Sequence, residues 1–338
     1  MRIGIVNDLS LAVEALRRVV SAVDGFEIAW VAYNGKQAVE FTIKDRPDLI
    51  LMDLIMPVMD GVQATAEIMK KAPCAILVVT ASVGANSSKV FEAMGHGALD
   101  AVATPVFDFT GNATGAQELI SKINSLKRLI QGKSYFKPVI APKPARMDFP
   151  LVAIGSSTGG PKALATILSA LPEKFSAAIV IIQHVDQRFA EELANWLDKQ
   201  TSLYVSIANQ GEMPEPGKVF LAGTNDHLVL DNHGKFSYIA EPKDYPYRPS
   251  VDTFFQSLYN NWAAKDTAIL LTGMGKDGAE GLLGLKESGW LTIAQDEASS
   301  IVYGMPKAAA DINAAKKILD PTKIAFELSL LYGRKEFK

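Results

Sequence analysis

A serine between glycines, at the end of an apolar segment, is the first feature of this chain that could do chemistry. The segment Gly155-Ser156-Ser157-Thr158-Gly159-Gly160 follows the apolar residues 151–154 and precedes a helical pattern that opens at Pro161. It contains G-x-S-x-G at a strand-to-helix turn, the context in which this motif carries a nucleophilic serine. Free N–H groups at the start of the following helix suit a developing oxyanion. The motif predicts Ser157 as the nucleophile of an acyl-transfer hydrolase, with an ordinary turn as the alternative.

A serine nucleophile needs a base within hydrogen-bond reach and a third group that orients the base. Of the four histidines, His184 ends the apolar strand pattern 179–183, so we expect it at the same sheet edge as Ser157. His227 follows Asn225-Asp226 in a loop and is a competing candidate. His96 is excluded because it lies in the N-terminal part of the chain, and His233 because it lies in a predicted hairpin turn.

The orienting carboxylate is predicted in a glycine-rich segment. Asp277 lies in Thr272-Gly273-Met274-Gly275-Lys276-Asp277-Gly278, which follows the buried strand pattern 268–271. The three candidates therefore all follow strands of one parallel sheet, where a triad can assemble. The backbone amides of Thr158 and Met274 are the candidate oxyanion donors.

Other ligand-binding motifs fail on residue spacing. A Walker loop ends in Gly-Lys-Ser/Thr, but this chain has Gly160-Pro161 and Lys162-Ala163. A dinucleotide fingerprint needs glycine at its third position, where Ser157 stands. No His, Cys and carboxylate spacing is typical of zinc, and the single cysteine, Cys74, excludes an intramolecular disulfide.

Acidic residues at strand ends form a second candidate site. Asp8 follows the first strand pattern, Asp53 the third, and Thr80 ends the fourth. In a doubly wound sheet these side chains converge at the carboxyl ends of the strands. Two carboxylates with nearby carbonyl oxygens, that of Ile55 included, suit Mg²⁺. A metal-neutralised aspartate can accept a phosphoryl group, with the Thr80 hydroxyl stabilising its oxygens. The alternative is that these are solvated loop residues.

The elements that must position both sites indicate two α/β domains. In the first part, five short apolar strand patterns are each followed by a helical pattern, which predicts a flavodoxin-like (βα)5 domain. Residues 132–150 are rich in proline and lysine, as a semi-extended linker is. We predict a first domain at 1–125, a linker at 126–149 and a second domain at 150–338. The second is a doubly wound, mainly parallel sheet in which Val219–Ala222 and Leu228–Leu230 form a short antiparallel pair.

Composition excludes several classes of protein. Hydrophobic residues make up 48%, charged residues 21%, and the net charge is −3. These values are ordinary for a globular protein and give no general attraction to nucleic acid or anionic membrane. No signal-peptide pattern opens the chain, and no apolar stretch approaches the ~20 residues that span a bilayer. We therefore expect a cytoplasmic protein without membrane insertion.

Residues 1–125 resemble the response-regulator receiver domain. The resemblance implies that Asp53 is the phosphoryl acceptor, that Asp8 helps to bind Mg²⁺, and that Thr80 is the switch hydroxyl. Two departures stand out: Asn7-Asp8 replaces the usual pair of acids, and Thr104-Pro105 replaces the usual Lys-Pro. Asparagine still offers an oxygen, so metal binding is weakened. Without the lysine, the phosphoryl group loses a direct partner, which puts its coupling to the rest of the protein in doubt.

Five separated motifs behind this domain resemble the chemotaxis protein-glutamate methylesterase family (CheB-type). They are the segments 154–160, Gln183-His184, Arg248-Pro249-Ser250-Val251-Asp252, 272–279 and Gly304-Met305-Pro306. The resemblance implies a cytoplasmic serine hydrolase of a bacterial adaptation pathway. Its substrates are glutamyl methyl esters, and often glutamines, of methyl-accepting chemoreceptors, and its phosphodonor is a chemotaxis histidine kinase. It assigns the triad to Ser157, His184 and Asp277, with no cofactor for the esterase reaction. The two departures further resemble WspF-type members, which serve alternative chemosensory pathways.

A signalling protein with a non-catalytic second domain is the rival hypothesis. A DNA-binding output should carry a basic recognition helix. The helical patterns here carry Glu191-Glu192, Glu280 and Glu287, which argues against DNA. A partner-binding module would keep the fold without needing a triad, and only a measurement of catalysis separates it from an esterase.

Overall fold

The protein forms two compact units, Met1–Arg128 and Leu129–Lys338, in a computed structural model. The structure describes residues 1–81, 86–107, 113–131, 147–243, 245 and 247–333. Helix α5 (Ala116–Gln131) continues beyond residue 125, the predicted end of the first domain. Residues 132–146, most of the predicted linker, lie outside the described residues.

The first unit has the predicted flavodoxin-like order of strands and helices. Its parallel sheet runs β2-β1-β3-β4-β5, and its third and fourth strands are buried along their whole length. The elements before α5 are β1 (Arg2–Val6), α1 (Ser10–Ser21), β2 (Glu27–Ala32), α2 (Gly35–Lys44), β3 (Leu49–Met52), α3 (Gly61–Lys71), β4 (Ala75–Thr80), α4 (Ser87–Gly95), β5 (Asp100–Ala103), β6 (Val106–Phe107) and β7 (Ala113–Thr114). The carboxyl ends of β1, β3 and β4 are neighbours, so the residues that follow them share one edge.

The second unit is a seven-stranded sheet of order β10-β11-β9-β8-β14-β15-β16, parallel at every pairing. Its elements are β8 (Leu151–Ser156), α6 (Gly160–Ser169), β9 (Ala178–Gln183), α7 (Gln187–Asp198), β10 (Tyr204–Ile207), β11 (Lys218–Leu221), β12 (His227–Leu230), β13 (Phe236–Ile239), α8 (Val251–Asn261), β14 (Thr267–Leu270), α9 (Ala279–Glu287), β15 (Leu291–Gln295), α10 (Met305–Asp311), β16 (Lys317–Leu319) and α11 (Pro321–Tyr332). From β8 the chain adds strands first on one side and later on the other. The order reverses between β8 and β14, where ligands bind in such sheets.

The predicted antiparallel pairing of Val219–Ala222 with Leu228–Leu230 is wrong. Strand β11 instead lies parallel between β10 and β9, and β12 pairs antiparallel with β13. The last three residues of β11 are buried, as suits an interior strand of a covered parallel sheet. A short apolar segment does not reveal its partner strand, so sequence order was a poor guide.

Among the described residues, no helix combines the length and the apolar character that crossing a membrane requires.

Candidate active site

The carboxyl ends of two adjacent strands bring Ser157 and His184 together. Ser156, the last residue of β8, pairs in register with Gln183, the last residue of β9. The His184 amide then donates to the Ser156 carbonyl over 3.0 Å. Because adjacent strands lie about 4.8 Å apart, the next residues of both strands emerge side by side at this edge. The expected neighbourhood of Ser157 and His184 follows from this register.

The turn after β8 requires glycine at two positions. Gly159 has a φ of +80°, and a Cβ there would lie 2.7 Å from the Ile301 Cβ. A Cβ at Gly160 would lie 2.1 Å from the Gln183 Oε1 atom. A left-handed backbone and this close approach are open to glycine alone at acceptable cost. The two glycines let the chain reverse sharply into α6 and leave Ser157 at the apex of the turn.

A buried glutamine joins the strand ends beneath Ser157. Gln183 is 0% exposed, and its Oε1 accepts the Ser156 hydroxyl over 2.7 Å. Its Nε2 donates to the carbonyls of Ser157 (3.0 Å) and His184 (3.1 Å). One side chain therefore holds the backbone of both candidate catalytic residues. A polar side chain placed this deep is tolerated because its hydrogen bonds are made.

We expect Gln183→Leu to lower the free energy of unfolding of the second unit by about 2–4 kcal/mol, since it leaves the buried Ser156 hydroxyl and the His184 carbonyl without this partner, while the Ser157 carbonyl keeps the Gly160 amide. Urea unfolding followed by tryptophan fluorescence measures this, because three of the four tryptophans lie in the second unit. The exposed Gln200 gives the control. Gln200→Leu should stay within about 0.5 kcal/mol of wild type, and equal losses in both variants would contradict the role of the network.

Asp277 receives hydrogen bonds on both carboxylate oxygens. Its Oδ2 atom contacts His184 Nε2 and the Val251 amide, each over 2.7 Å. Its Oδ1 accepts the Ser250 hydroxyl over 2.8 Å and the Asp252 amide over 3.0 Å. Burial on its own raises the pKa of Asp277, but His184 and the two amides outweigh it and lower that pKa below its usual value. The carboxylate is ionised at neutral pH, at the positive end of α8.

The ionised state of Asp277 determines the tautomer of His184. An ionised carboxylate only accepts hydrogen bonds, so Nε2 of His184 carries the proton and Nδ1 of the neutral ring is bare. Among the described residues, neither this Nδ1 nor the Ser157 hydroxyl has a hydrogen-bond partner, although both atoms are buried. Tyr247 stacks on the imidazole with the ring centroids 4.5 Å apart. The site thus holds a bare imidazole nitrogen and a serine hydroxyl without a hydrogen-bond partner at one sheet edge, among the described residues.

The loop after β14 lies against the turn that carries Ser157. The Ser157 amide donates to the Thr272 carbonyl over 3.1 Å, and a Cβ at Gly273 would lie 2.7 Å from the Ser157 Cβ. In the described part of the chain, no hydrogen bond uses the backbone N–H of Thr158 or of Met274. These are the two predicted oxyanion donors, and each lies directly beside the close contact between the two segments. Both amides remain available for a ligand oxygen.

The competing base, His227, is placed elsewhere. Its Nδ1 accepts the Ser250 amide over 3.1 Å, and its Nε2 lies 3.0 Å from the Pro242 carbonyl. Both ring nitrogens are therefore occupied, and the ring contacts neither Ser157 nor Asp277 through a hydrogen bond. Of the remaining histidines, His96 belongs to the first unit, directly after α4, and His233 lies in the turn between β12 and β13.

The acidic site of the first unit surrounds Asp53. Its Oδ1 accepts the Leu54 amide over 2.7 Å. Burial, with a smaller contribution from the negative charge of Asp8, raises the pKa of Asp53 to about 6. The carboxylates of Asp8 and Asp53 repel each other. Together with the Ile55 carbonyl in the adjoining turn, they form a donor set suited to a hard divalent cation. Among the described residues, no group of three or more His, Cys, Asp or Glu side chains could hold a metal.

The other expected residues of this edge are partly committed to neighbours. The Thr80 hydroxyl, 1% exposed, accepts the Asn86 side-chain amide over 3.2 Å. The Asn7 side-chain oxygen accepts the Leu9 amide over 2.9 Å, so it is already used within the loop. The amide of Thr104 donates to the carbonyl of Thr80, which places the departure from Lys-Pro beside the residue predicted to be the switch hydroxyl.

Several residues of the site were not predicted from the sequence. Ser250 and Asp252 belonged to a motif without assigned roles, and Gln183 was only a neighbour of the predicted base. Ser250 carried a signal that could have found it, because serine before a helical pattern is a strong N-cap. Asp252 Oδ1 accepts the Gly281 amide over 2.8 Å. Burial, together with the charge of Asp277, raises the pKa of Asp252 well above its usual value.

Two family profiles match the chain. The profile described as response regulator receiver domain matches residues 3–108, and the one described as CheB methylesterase matches residues 152–328. The crystal structure of the CheB methylesterase catalytic domain of Thermotoga maritima is similar, with a TM-score of 0.53 and 37% identity. The match covers 55% of this chain and 100% of that domain.

Curated relatives match along nearly the whole chain. A protein of Cupriavidus metallidurans named protein-glutamate methylesterase/protein-glutamine glutaminase 2 is 52% identical, over 98% of this chain and 99% of its own length. A Burkholderia thailandensis protein named protein-glutamate methylesterase/protein-glutamine glutaminase 4 is 53% identical, over 99% of this chain and 98% of its own length.

Proposed function

The chain belongs to the CheB methylesterase family, and from this premise we propose that Ser157, His184 and Asp277 are its catalytic triad. The observation that carries the proposal is the hydrogen bond between His184 Nε2 and Asp277, which leaves the buried His184 Nδ1 free at the sheet edge where the buried Ser157 hydroxyl also has no partner among the described residues. A nucleophile, a base and an orienting carboxylate are the parts that serine hydrolysis needs. The protein is a protein-glutamate methylesterase, a carboxylic ester hydrolase of chemosensory adaptation.

The reaction follows from the atoms of this site. Ser157 Oγ attacks the carbonyl carbon of the glutamyl methyl ester, and its proton moves to His184 Nδ1. Asp277 stabilises the imidazolium that results. The amides of Thr158 and Met274 hold the oxygen that becomes negative in the tetrahedral intermediate. His184 then protonates the departing methoxide, methanol leaves, and water activated by the same imidazole hydrolyses the acyl-serine to glutamate.

The same machinery accepts a glutamine side chain. Attack of Ser157 on the amide carbonyl gives the same acyl-serine, with ammonia as the leaving group protonated by His184. The curated relatives carry both activities in their names. We propose that this chain acts on glutamyl methyl esters and on glutamines of methyl-accepting chemoreceptors.

The first unit is a response-regulator receiver, and we propose that it takes a phosphoryl group on Asp53 from a chemotaxis histidine kinase. Asp8, Asp53 and the Ile55 carbonyl would hold Mg²⁺. Bound there, Mg²⁺ supplies the positive charge that offsets repulsion between a carboxylate nucleophile and phosphoryl oxygens. The Thr80 hydroxyl, now paired with Asn86, would turn to the new oxygens. The WspF-type subgroup stays a prediction from the two sequence departures.

A methanol-release assay tests the esterase proposal against the partner-binding rival. Membranes containing methylated chemoreceptors, incubated with the full-length protein, should release methanol with the protein turning over many times. Parallel membranes carrying unmodified glutamines at these sites should release ammonia. A protein that binds the membranes but releases neither product would overturn the proposal in favour of the binding module.

A further inference from the structure

A serine hydroxyl determines how the Asp277 carboxylate is turned. Ser250 Oγ donates to Asp277 Oδ1 over 2.8 Å. The same oxygen accepts the Thr253 amide over 3.3 Å, as the N-cap of α8. With its proton directed to Asp277 and a lone pair directed to the helix, the hydroxyl has a single orientation. Asp277 is thus held to the start of α8 by a side chain as well as by two amides.

A second histidine lies behind this serine. His227 is 0% exposed, and its Nδ1 lies 3.1 Å from the Ser250 amide, while its Nε2 lies 3.0 Å from the Pro242 carbonyl. An amide N–H only donates and a carbonyl only accepts, so Nδ1 is bare and Nε2 carries the proton. Burial lowers the pKa of His227, which favours this neutral ring. His227 therefore holds the backbone amide of Ser250, while Asp277 holds its hydroxyl.

We propose that Ser250 and His227 are positioning residues for the hydrolysis, forming a continuous chain His227–Ser250–Asp277–His184 that ends at the base. The inference rests on the proposed function, because it assigns His184 as that base. Each link is a hydrogen bond of 2.7–3.1 Å between groups of fixed donor and acceptor roles. Both side chains are buried, so they act on the reaction through Asp277 and do not meet a receptor surface.

Weakening the hydrogen-bond chain His227–Ser250–Asp277–His184 affects the chemical step more than it affects substrate binding. Without the Ser250 hydroxyl, Asp277 Oδ1 keeps only the Asp252 amide, and the carboxylate can rotate away from the plane of the His184 ring. The imidazolium that forms in the transition state then loses part of the stabilisation that Asp277 gives it, whereas the proposed reaction assigns this carboxylate no contact with the ester. Interactions made only in the transition state appear in kcat and leave KM nearly unchanged.

Two isosteric replacements of His227 separate positioning from folding. Asparagine places its side-chain oxygen near Nδ1 and keeps an acceptor for the Ser250 amide. Glutamine reaches the position of Nε2 and keeps a donor for the Pro242 carbonyl but not the acceptor. We expect His227→Gln to lower kcat about tenfold, with KM within twofold, and His227→Asn to stay within about threefold of wild type. Ser250→Ala should resemble His227→Gln, and Ser250→Thr, which keeps the hydroxyl, should recover most of the loss.

His233→Gln is the matched control, because this exposed turn histidine lies outside the site. It should leave kcat and KM unchanged. Thermal unfolding of all variants checks folding: His227→Asn and His227→Gln each lose one of two hydrogen bonds and should unfold at similar temperatures. Equal kcat in these two variants, or a kcat that follows the unfolding temperature across the series, would overturn the inference.

An NMR measurement tests the same chain without any substrate. The proton between His184 Nε2 and Asp277 Oδ2 should give a downfield signal, assigned by its loss in His184→Gln. We expect Ser250→Ala and His227→Gln to move or broaden that signal, and His227→Asn to retain it. An unchanged signal in all three variants would count against the proposed hydrogen-bond chain. Because this arm needs no ester, it decides the inference even if wild type released no methanol, a result that would count against the proposed function alone.

Discussion

Ser157→Ala is expected to lower the rate of methanol release at least about 10³-fold, whereas Ser156→Ala should stay within tenfold of wild type. The two serines are adjacent and both are 0% exposed, so the pair is closely matched. They differ in their hydrogen bonds: the Ser156 hydroxyl donates to Gln183, and the Ser157 hydroxyl has no partner among the described residues. Removing the first costs a buried hydrogen bond, about 1–2 kcal/mol of stability. Removing the second removes the proposed nucleophile.

The other triad members sharpen this result. His184→Ala and Asp277→Ala should each lower kcat by about 10³-fold or more, and combining either with Ser157→Ala should add little, because the residues of a catalytic triad, as proposed here, act as one unit. Rates are compared at saturating methylated receptor, with circular dichroism to confirm folding. Losses that add fully, or a His184→Ala variant that turns over almost normally, would remove the triad assignment.

Much of this site could be predicted from the sequence because its three main residues all lie in segments that follow strands. Ser157, His184 and Asp277 each follow an apolar strand pattern, and parallel strands end at a common edge, so their convergence could be expected. The two α/β folds were predicted from alternating strand and helix patterns, and the resemblance of their motifs implied a receiver and a methylesterase, which the family matches confirm. The roles of the individual residues stay predictions until they are measured.

The remaining contacts depend on packing between segments far apart in the chain. Asp277 bonds to Ser250, Val251 and Asp252 because the first turn of helix α8 packs against the loop that follows β14. No periodicity encodes that meeting, since it depends on how α8 lies across the sheet. The wrong pairing of the Val219–Ala222 segment has a related cause: hydrophobic pattern identifies a strand but not its neighbour. Local sequence predicts which residues end strands, and tertiary packing decides what supports them.

Phosphorylation should require Asp53 and no other aspartate of its loop. With a small-molecule phosphodonor and Mg²⁺, wild type should incorporate one phosphoryl group, and Asp53→Asn should incorporate none. Asp60→Asn is the matched control, because Asp60 lies in the same loop but serves as the N-cap of α3, accepting the Gln63 amide. It should be labelled like wild type, at a cost in stability of up to about 1 kcal/mol. Persistent label in Asp53→Asn would refute the site.

Metal dependence and coupling complete this prediction. Asp8→Asn removes one of the two carboxylates, so half-maximal labelling should need at least about tenfold more Mg²⁺, because the remaining donors carry less charge. The phosphodonor should raise methanol release by wild type and not by Asp53→Asn. Since Thr104 has no ammonium group to pair with the phosphoryl oxygens, the rise should be modest, and Thr104→Lys should enlarge it. A phosphoryl group shifts an equilibrium only by its differential affinity for the two states, and this substitution changes that difference while leaving the esterase residues untouched.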